Sequence, residues 1–199
     1  TSDALQQQID DSIYHGSIRK ASTTMKAVNA GASGTLFNLP AGDWAGGERG
    51  IAILPERVEE FRAGVDKAIA YAKVLGNTQV NCLAGIAPRG ADLGQLEITF
   101  IENLRYAAQK LEEAGIRLVM EMINTRDIPR FFLNNTSQAQ EIRGKVGHAN
   151  LFLQYDIYHM QIMEGDLART VENNLATINH VQLADNPGRN EPGTGEINY

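Results

Sequence analysis

The chain has 199 residues, of which 43% are hydrophobic and 21% are charged, a composition typical of one globular domain with a substantial core. Its 24 acidic and 18 basic residues give a net charge of -6, which argues against nucleic acid as a partner. The apolar runs fall short of the roughly 18 residues that a membrane-spanning helix needs, so no membrane contact is expected. The single cysteine, Cys82, excludes an internal disulfide, and no secretory signal opens the chain, so we expect a cytoplasmic protein.

The first 54 residues have the least regular pattern. Residues 1–11 are typical of a polar helix, residues 12–34 have weak periodicity, and residues 35–38 indicate a strand followed by a long glycine-rich loop. From residue 55 onward, helical and strand patterns alternate clearly. The predicted strands in that part of the chain cover 79–85, 116–121, 151–156 and 180–185.

The predicted helices lie between these strands. The first covers 55–75, where apolar residues recur at helical spacing until a glycine follows, and the second lies near 95–114. Thr136 is the predicted cap of the third helix. Asp166 is the predicted cap of the fourth, whose apolar face includes Ile178.

The order of these elements predicts an α/β fold. Strand–helix units of roughly 30 to 37 residues indicate parallel strands joined by helical crossovers. The strands are near-continuous apolar runs, which is typical of strands covered on both faces. Two architectures fit this pattern, a doubly wound sheet and a (β/α)8 barrel. No glycine-rich phosphate-binding motif follows a strand, which weakens the nucleotide-binding version of the first.

Polar side chains occur at or near the ends of three successive strands, at Glu121, Asp156 and Gln182. In parallel α/β folds these ends form the site, and a buried carboxylate needs a partner. A divalent cation would bind all three oxygens, and such ligands favour Mg2+ or Mn2+ over Zn2+. Taken singly, each residue has a simpler role, Asp156 as a helix cap and Gln182 as a partner of the backbone. His159, by itself a structural histidine, must lie in the loop after its strand to share this site.

Five stretches of the chain form longer and more specific strings: NLPAGDWAGGERGI, NCLAG, EMINTRDIPRFFL, QYDIYHMQIMEGDL and HVQLADNPGRNEPGTGEINY. They closely resemble hydroxypyruvate isomerases of the xylose-isomerase-like barrel superfamily. The resemblance extends from about Thr35 to Tyr199.

The resemblance implies a (β/α)8 TIM-type barrel with a divalent metal at the strand ends. It implies that Glu121 is a metal ligand and the proton-transfer base, that Asp156 and Gln182 are further ligands, and that His159 and Arg189 contact the substrate. The implied reaction interconverts hydroxypyruvate and tartronate semialdehyde by metal-assisted proton transfer through an enediolate.

The chain departs from this family in length. A barrel of this type has about 250 residues; here strands three to seven can be matched, and the chain stops before the eighth strand and the glutamate that it carries. Residues 12–34 do not match the family. We therefore expect a single, incomplete TIM-barrel domain over 1–199, irregular in 1–34 and built of barrel units in 35–199. Open strand edges favour homo-oligomers.

Other functions stay open on the sequence alone. The chain could isomerise or epimerise another small keto acid or sugar, or it could be a non-catalytic partial barrel that binds a metal or a partner. A metal-dependent endonuclease is disfavoured by the negative net charge. The expected partner is a small hydroxy or keto acid, with no nucleic acid and no membrane.

Overall fold

A computed structural model of the protein describes residues 47–199. This region contains a parallel four-stranded sheet in the order β1-β2-β3-β4. Its strands are β1 (Gln79–Cys82), β2 (Arg117–Glu121), β3 (Leu151–Asp156) and β4 (Ile178–Gln182). Each strand lies beside its neighbour in sequence, which is the order of a barrel wall, whereas a doubly wound sheet reverses its order part-way. The predicted parallel α/β architecture is confirmed.

Helices connect these strands. A short 3-10 turn, Pro55–Arg57, leads into the first of them. The helices are α1 (Val58–Leu75), α2 (Leu93–Glu113), α3 (Thr136–Val146), α4 (Ile157–Met163) and α5 (Leu167–Asn174). The long helix α2 packs against α1, α3 and β2, and therefore forms part of the outer layer over the sheet.

The ends of the long helices follow from local sequence. α1 ends at Gly76, where a φ of +67° suits glycine and the N–H donates to the carbonyl of Ala72. α2 begins after Asp92, whose side chain accepts the N–H groups of Gly94 and Gln95. These caps satisfy backbone groups that the helices themselves leave unpaired.

The central strands β2 and β3 form the middle of the hydrophobic core. Most of their apolar residues are fully buried, which explains why these strands are continuous apolar runs rather than alternating patterns. The residues concerned are Leu118, Val119, Met120, Leu151 and Leu153.

Two predicted helix features are wrong in detail, and a third is correct in position only. The cap of α3 is Asn135, and Thr136 is the first helical residue. Asp166 is the cap residue of α5, as predicted, but its side chain makes no capping hydrogen bond. α5 ends at Asn174, and Ile178 belongs to β4.

The boundaries of two strands also differ from the prediction. β4 begins before residue 180 because the N–H of Leu153 in β3 already bonds the carbonyl of Thr177, at 2.8 Å. Pairing with β3 thus overrides the helical spacing of the apolar residues in this segment. β4 ends at Gln182 and β1 at Cys82, each three residues earlier than the sequence pattern indicates.

Some sequence-based predictions lie outside the described residues. These are the polar helix at 1–11, the irregular segment at 12–34 and the strand at 35–38. Within residues 47–199, every helix is too short or too polar to cross a bilayer.

Candidate metal and active site

Polar side chains line the C-terminal edge of the sheet. Asp156 of β3 and Gln182 of β4 are direct neighbours in the strand register, and Glu121 of β2 is the register partner of Gln154 in β3. Because side chains alternate along a strand, Gln154 and Asp156 point to the same face. The parallel register therefore brings all four side chains to one edge and one face of the sheet.

Glu121 is the last residue of β2 and only 6% of its surface is exposed. Its Oε2 accepts hydrogen bonds from Asn81 Nδ2 and Gln154 Nε2, both at 2.7 Å. Burial first, and the negative charge of Asp156 second, raise the pKa of Glu121 from 4.5 to about 7. A buried carboxyl group with a pKa near neutrality is suited to accepting and returning a proton.

Asp156 uses its two carboxylate oxygens differently. Oδ1 accepts the backbone N–H groups of Tyr158 and His159, at 2.9 and 3.3 Å, and so caps α4. Oδ2 accepts a hydrogen bond of 3.0 Å from Nη2 of Arg189. The simpler interpretation of Asp156 as a helix cap is therefore correct, and it leaves the second oxygen at the site.

Gln154 connects the two neighbouring strands. Its Nε2 donates to Oε2 of Glu121 at 2.7 Å and to Oε1 of Gln182 at 2.9 Å. The oxygens of Glu121 and Gln182 thus approach the same nitrogen. Sequence reasoning missed Gln154, although its position two residues before Asp156 on a buried strand was a usable signal.

His159 lies on α4, not in a loop as the sequence predicts. α4 begins directly after β3 because Asp156 caps it, and the first helical turn carries the imidazole back to the strand end. Its Nε2 lies 3.7 Å from Oδ2 of Asp156 and 3.9 Å from Oε1 of Glu121. Burial lowers the pKa of His159 from 6.5 to about 4, against the opposing effect of the Asp156 charge.

Arg189 reaches the site from the loop after β4, at a backbone φ of +55°. Its guanidinium lies 5.2 Å from the centre of the Tyr158 ring and donates to Asp156. Asp185, buried at the start of the loop, accepts the backbone N–H groups of Asn186, Gly193 and Ile197. These bonds fix the loop that presents the guanidinium.

A further group of polar residues lies beside His159, and sequence reasoning missed it as well. Asn124 Nδ2 lies 2.7 Å from Nδ1 of His159. Asp127 accepts hydrogen bonds on Oδ2 from Asn124 Nδ2 and from the hydroxyl of Tyr158, at 3.0 and 2.7 Å. Arg126 donates to Asn186 of the Arg189 loop at 2.9 Å.

The residues at this edge fit a divalent cation. Glu121, Asp156 and His159 each offer one possible ligand atom, and these atoms lie within 4.8 Å of one another. Burial raises the pKa of Glu121 most and the charge of Asp156 raises it further, and a cation bound between the two carboxylates would offset both effects.

The comparison with protein families agrees with the fold. The model of the family described as "Xylose isomerase-like TIM barrel" matches residues 8–199. The chain belongs to this family. The resemblance stated from the sequence is confirmed, and the match is longer than expected, because it begins before Thr35 and includes residues 12–34, which were predicted to lie outside the family. The four parallel strands and their helices are part of a barrel of the xylose isomerase-like type.

Curated members of this family are close in sequence. The chain is 57% identical over 165 residues to a hydroxypyruvate isomerase of Escherichia coli (strain K12), covering 83% of this chain and 64% of that protein. It is 45% identical over 169 residues to a 2-oxo-tetronate isomerase of Cupriavidus necator, covering 85% and 65%. The chain therefore spans just under two thirds of the length of these relatives.

Solved structures give the same result. A crystal structure described as AP endonuclease, family 2 from Brucella melitensis is 44% identical, with a TM-score of 0.78 over 80% of this chain and 62% of that one. A D-allulose 3-epimerase from Methylomonas sp. is 23% identical, with a TM-score of 0.62 over 72% and 50% of the two chains. The second likeness shows that the fold is shared.

Proposed function

We propose that the protein is an isomerase that interconverts hydroxypyruvate and tartronate semialdehyde. The observation that carries this proposal is the combination, at one strand edge, of a buried carboxyl group with a pKa near 7 and a guanidinium that faces it across Asp156. The first group suits proton abstraction beside a carbonyl and the second suits a carboxylate substrate. The relative of 57% identity that is named hydroxypyruvate isomerase supports this choice.

In the proposed reaction Glu121 acts as the base. It removes one proton from C3 of hydroxypyruvate, which leaves an enediolate, and it returns the proton to C2. The hydroxyl proton on the C3 oxygen moves to the C2 oxygen, so C3 becomes the aldehyde carbon and the atoms balance. Burial supports this role, because it raises the proton affinity of the Glu121 carboxylate and excludes bulk water from it.

Arg189 and His159 bind the substrate in this proposal. The guanidinium of Arg189 is suited to a bidentate bond with the substrate carboxylate, and it lies over the ring of Tyr158, which helps to hold it in place. His159 donates a hydrogen bond to a substrate oxygen. Both side chains already lie against Asp156, so little movement is needed to bring the substrate beside Glu121.

Glu121, Asp156 and Gln182 would hold a divalent cation, and their oxygens favour Mg2+ or Mn2+. When bound, such an ion supplies electrostatic stabilisation of the negative charge that develops on the substrate oxygens. Asp156 and Gln182 are neighbours in the strand register, so backbone pairing already fixes two of the three residues next to each other.

A second substrate is favoured by one specific relative. The 2-oxo-tetronate isomerase at 45% identity acts, by its name, on a different oxo acid, and the same base and guanidinium would suit that reaction. Comparison of kcat/KM for the two oxo acids decides between them.

Proton exchange tests the proposed function. The protein that carries this sequence is incubated with hydroxypyruvate in D2O, with Mg2+ or Mn2+ or with a chelator, and 1H NMR follows the C3 protons and the aldehyde signal. We expect metal-dependent exchange and isomerisation, both absent in Glu121→Gln and normal in Glu102→Gln, which changes an exposed residue of α2. Metal binding without exchange would instead support a non-catalytic metal-binding barrel.

A further inference from the structure

The imidazole of His159 has a distinctive environment at Nδ1. Two nitrogens of Asn124 face this atom, the backbone N at 3.4 Å and the side-chain Nδ2 at 2.7 Å. A backbone N–H can only donate, so it requires an acceptor at Nδ1. A ring nitrogen that accepts a hydrogen bond carries no proton itself.

The orientation of the Asn124 amide follows from Asp127. Its Oδ1 accepts the backbone N–H of Asp127 at 2.8 Å, and its Nδ2 donates to Oδ2 of Asp127 at 3.0 Å. A flipped amide would place its oxygen against the Asp127 carboxylate and its NH2 group against a backbone N–H. The Nδ2 group therefore faces His159, and both groups that approach Nδ1 are donors.

We propose that Asn124, held by Asp127, is a positioning residue that keeps His159 in the neutral tautomer with its proton on Nε2. The Nε2–H then points toward the side of the ring where Asp156 and Glu121 lie. His159 is a hydrogen bond donor at the site, and this donor is available to a substrate oxygen. The tautomer itself is independent of the reaction, whereas its use on the substrate rests on the proposed function.

The same arrangement prevents the imidazole of His159 from acting as a metal ligand. Coordination through Nε2 would need a free electron pair on that atom and a proton on Nδ1, where it would meet the two donors of Asn124. Of the three residues whose possible ligand atoms cluster within 4.8 Å, only the two carboxylates then remain as ligands. Asn124 thereby helps to keep the ligand set all-oxygen, which favours hard cations over Zn2+.

The tautomer can be read directly by 15N NMR. The protein is labelled with 15N-histidine, and long-range 1H–15N correlations distinguish protonated from unprotonated ring nitrogens; His159→Gln assigns the signals among the four histidines. We expect the wild-type signal of His159 to show a protonated Nε2 and a bare Nδ1 at neutral pH. A proton on Nδ1 in the wild-type protein would overturn the proposal.

The variant that tests Asn124 is Asn124→Asp. It keeps the oxygen that accepts from the Asp127 backbone but replaces the donor at Nδ1 by an acceptor, so the proton should move to Nδ1 or occupy both nitrogens. The matched control is Asn179→Asp, at the opposite end of β4, where the side chain contacts Gln79 and Arg117. An unchanged His159 signal in folded Asn124→Asp would overturn the proposal.

Kinetics separate this inference from the proposed function. With Mg2+ saturating, we expect Asn124→Asp to lower kcat by roughly 10- to 100-fold, the scale of losing one donor to a developing charge, with a smaller change in KM. Asn179→Asp should keep the wild-type rate. If the wild-type protein shows the predicted tautomer but has no isomerase activity, the proposed function alone is overturned. If Asn124→Asp shifts the proton of His159 but keeps a normal kcat, the role of His159 as a donor to the substrate is overturned.

Discussion

At the scale of single residues, the raised pKa of Glu121 suits the proposed proton transfer but lowers the stability of the folded protein. Its pKa is raised to about 7 in the metal-free protein, first by burial and then by Asp156. A carboxyl group whose folded-state pKa is raised destabilises the folded state most when the pH is above that value, and this effect fades as the pH falls from about 7 to the unfolded value of 4.5. The hydrogen bonds from Asn81 and Gln154 lower the pKa of Glu121 and so offset only part of this destabilisation.

We therefore predict that Glu121→Gln stabilises the metal-free protein at pH 8 and loses that advantage at pH 4.5. At about 1.4 kcal/mol per pKa unit, the shift from 4.5 to about 7 limits the gain to at most about 3.5 kcal/mol. Urea unfolding in the presence of a chelator measures it, with Glu102→Gln as the control. Equal effects of Glu121→Gln at the two pH values would contradict the raised pKa.

Arg189 carries the second prediction at this scale. Arg189→Lys should raise KM for hydroxypyruvate by roughly 10-fold or more and change kcat less, because lysine cannot reproduce the two-pronged bond to a carboxylate or stack on Tyr158. Steady-state kinetics with saturating metal measures both constants. Arg169→Lys, at an exposed position of α5, is the control. An unchanged KM would remove Arg189 from substrate binding.

At the scale of elements, the junction of β3 and α4 is the feature on which the site depends. One residue, Asp156, ends the strand, caps the helix and faces Arg189. The cap accepts the N–H of His159 itself, so the same carboxylate that contributes to the site also fixes the backbone of the neighbouring site residue. Strand, cap and imidazole are thus positioned together.

Two substitutions separate these roles of Asp156. Asp156→Asn keeps an oxygen that can accept the N–H groups of Tyr158 and His159, whereas Asp156→Ala removes it. We predict that Asp156→Ala is less stable than Asp156→Asn by about 1 kcal/mol, the usual effect of losing a cap, in urea unfolding with a chelator present. Both variants should lose the rise in Tm that Mg2+ or Mn2+ gives the wild-type protein. Equal stability of the two variants would show that the cap is dispensable.

The sequence predicted the ends of β2 and β3 better than the ends of β1 and β4 or the connections. Glu121 and Asp156 end buried apolar runs, and a carboxylate in that position can be recognised without knowledge of the fold. The helical position of His159 could not be recognised in this way, because α4 follows β3 without a linker and the strand and helix patterns merge. Asn124 was missed for a different reason. Its significance lies in a contact with a residue 35 positions away, and an isolated asparagine has no spacing pattern that reveals such a contact.

At the scale of the whole molecule, the outer side of β4 differs from the rest of the sheet. Among residues 47–199, β4 pairs with β3 alone. Val181 of β4 is 42% exposed and Leu183, the first residue after the strand, is 53% exposed, while most apolar residues of β2 and β3 are buried. Leu175, three residues before the strand, is 65% exposed as well. An open strand with neighbouring apolar side chains is a surface on which a second chain can pair.

We predict that the 199-residue chain self-associates through this side of β4 and that Leu183→Lys weakens the association. A charge on an edge strand opposes pairing because a second strand would have to bury it without a partner. Ile98→Lys is the matched control, since Ile98 on α2 is exposed to a similar extent, 52%, but lies on a helix with no open backbone groups to pair. Sedimentation velocity over a range of protein concentrations should show oligomers for the wild-type chain and Ile98→Lys and a shift toward monomer for Leu183→Lys. A wild-type chain that stays monomeric throughout, or equal effects of the two substitutions, would show that β4 is not the surface of association.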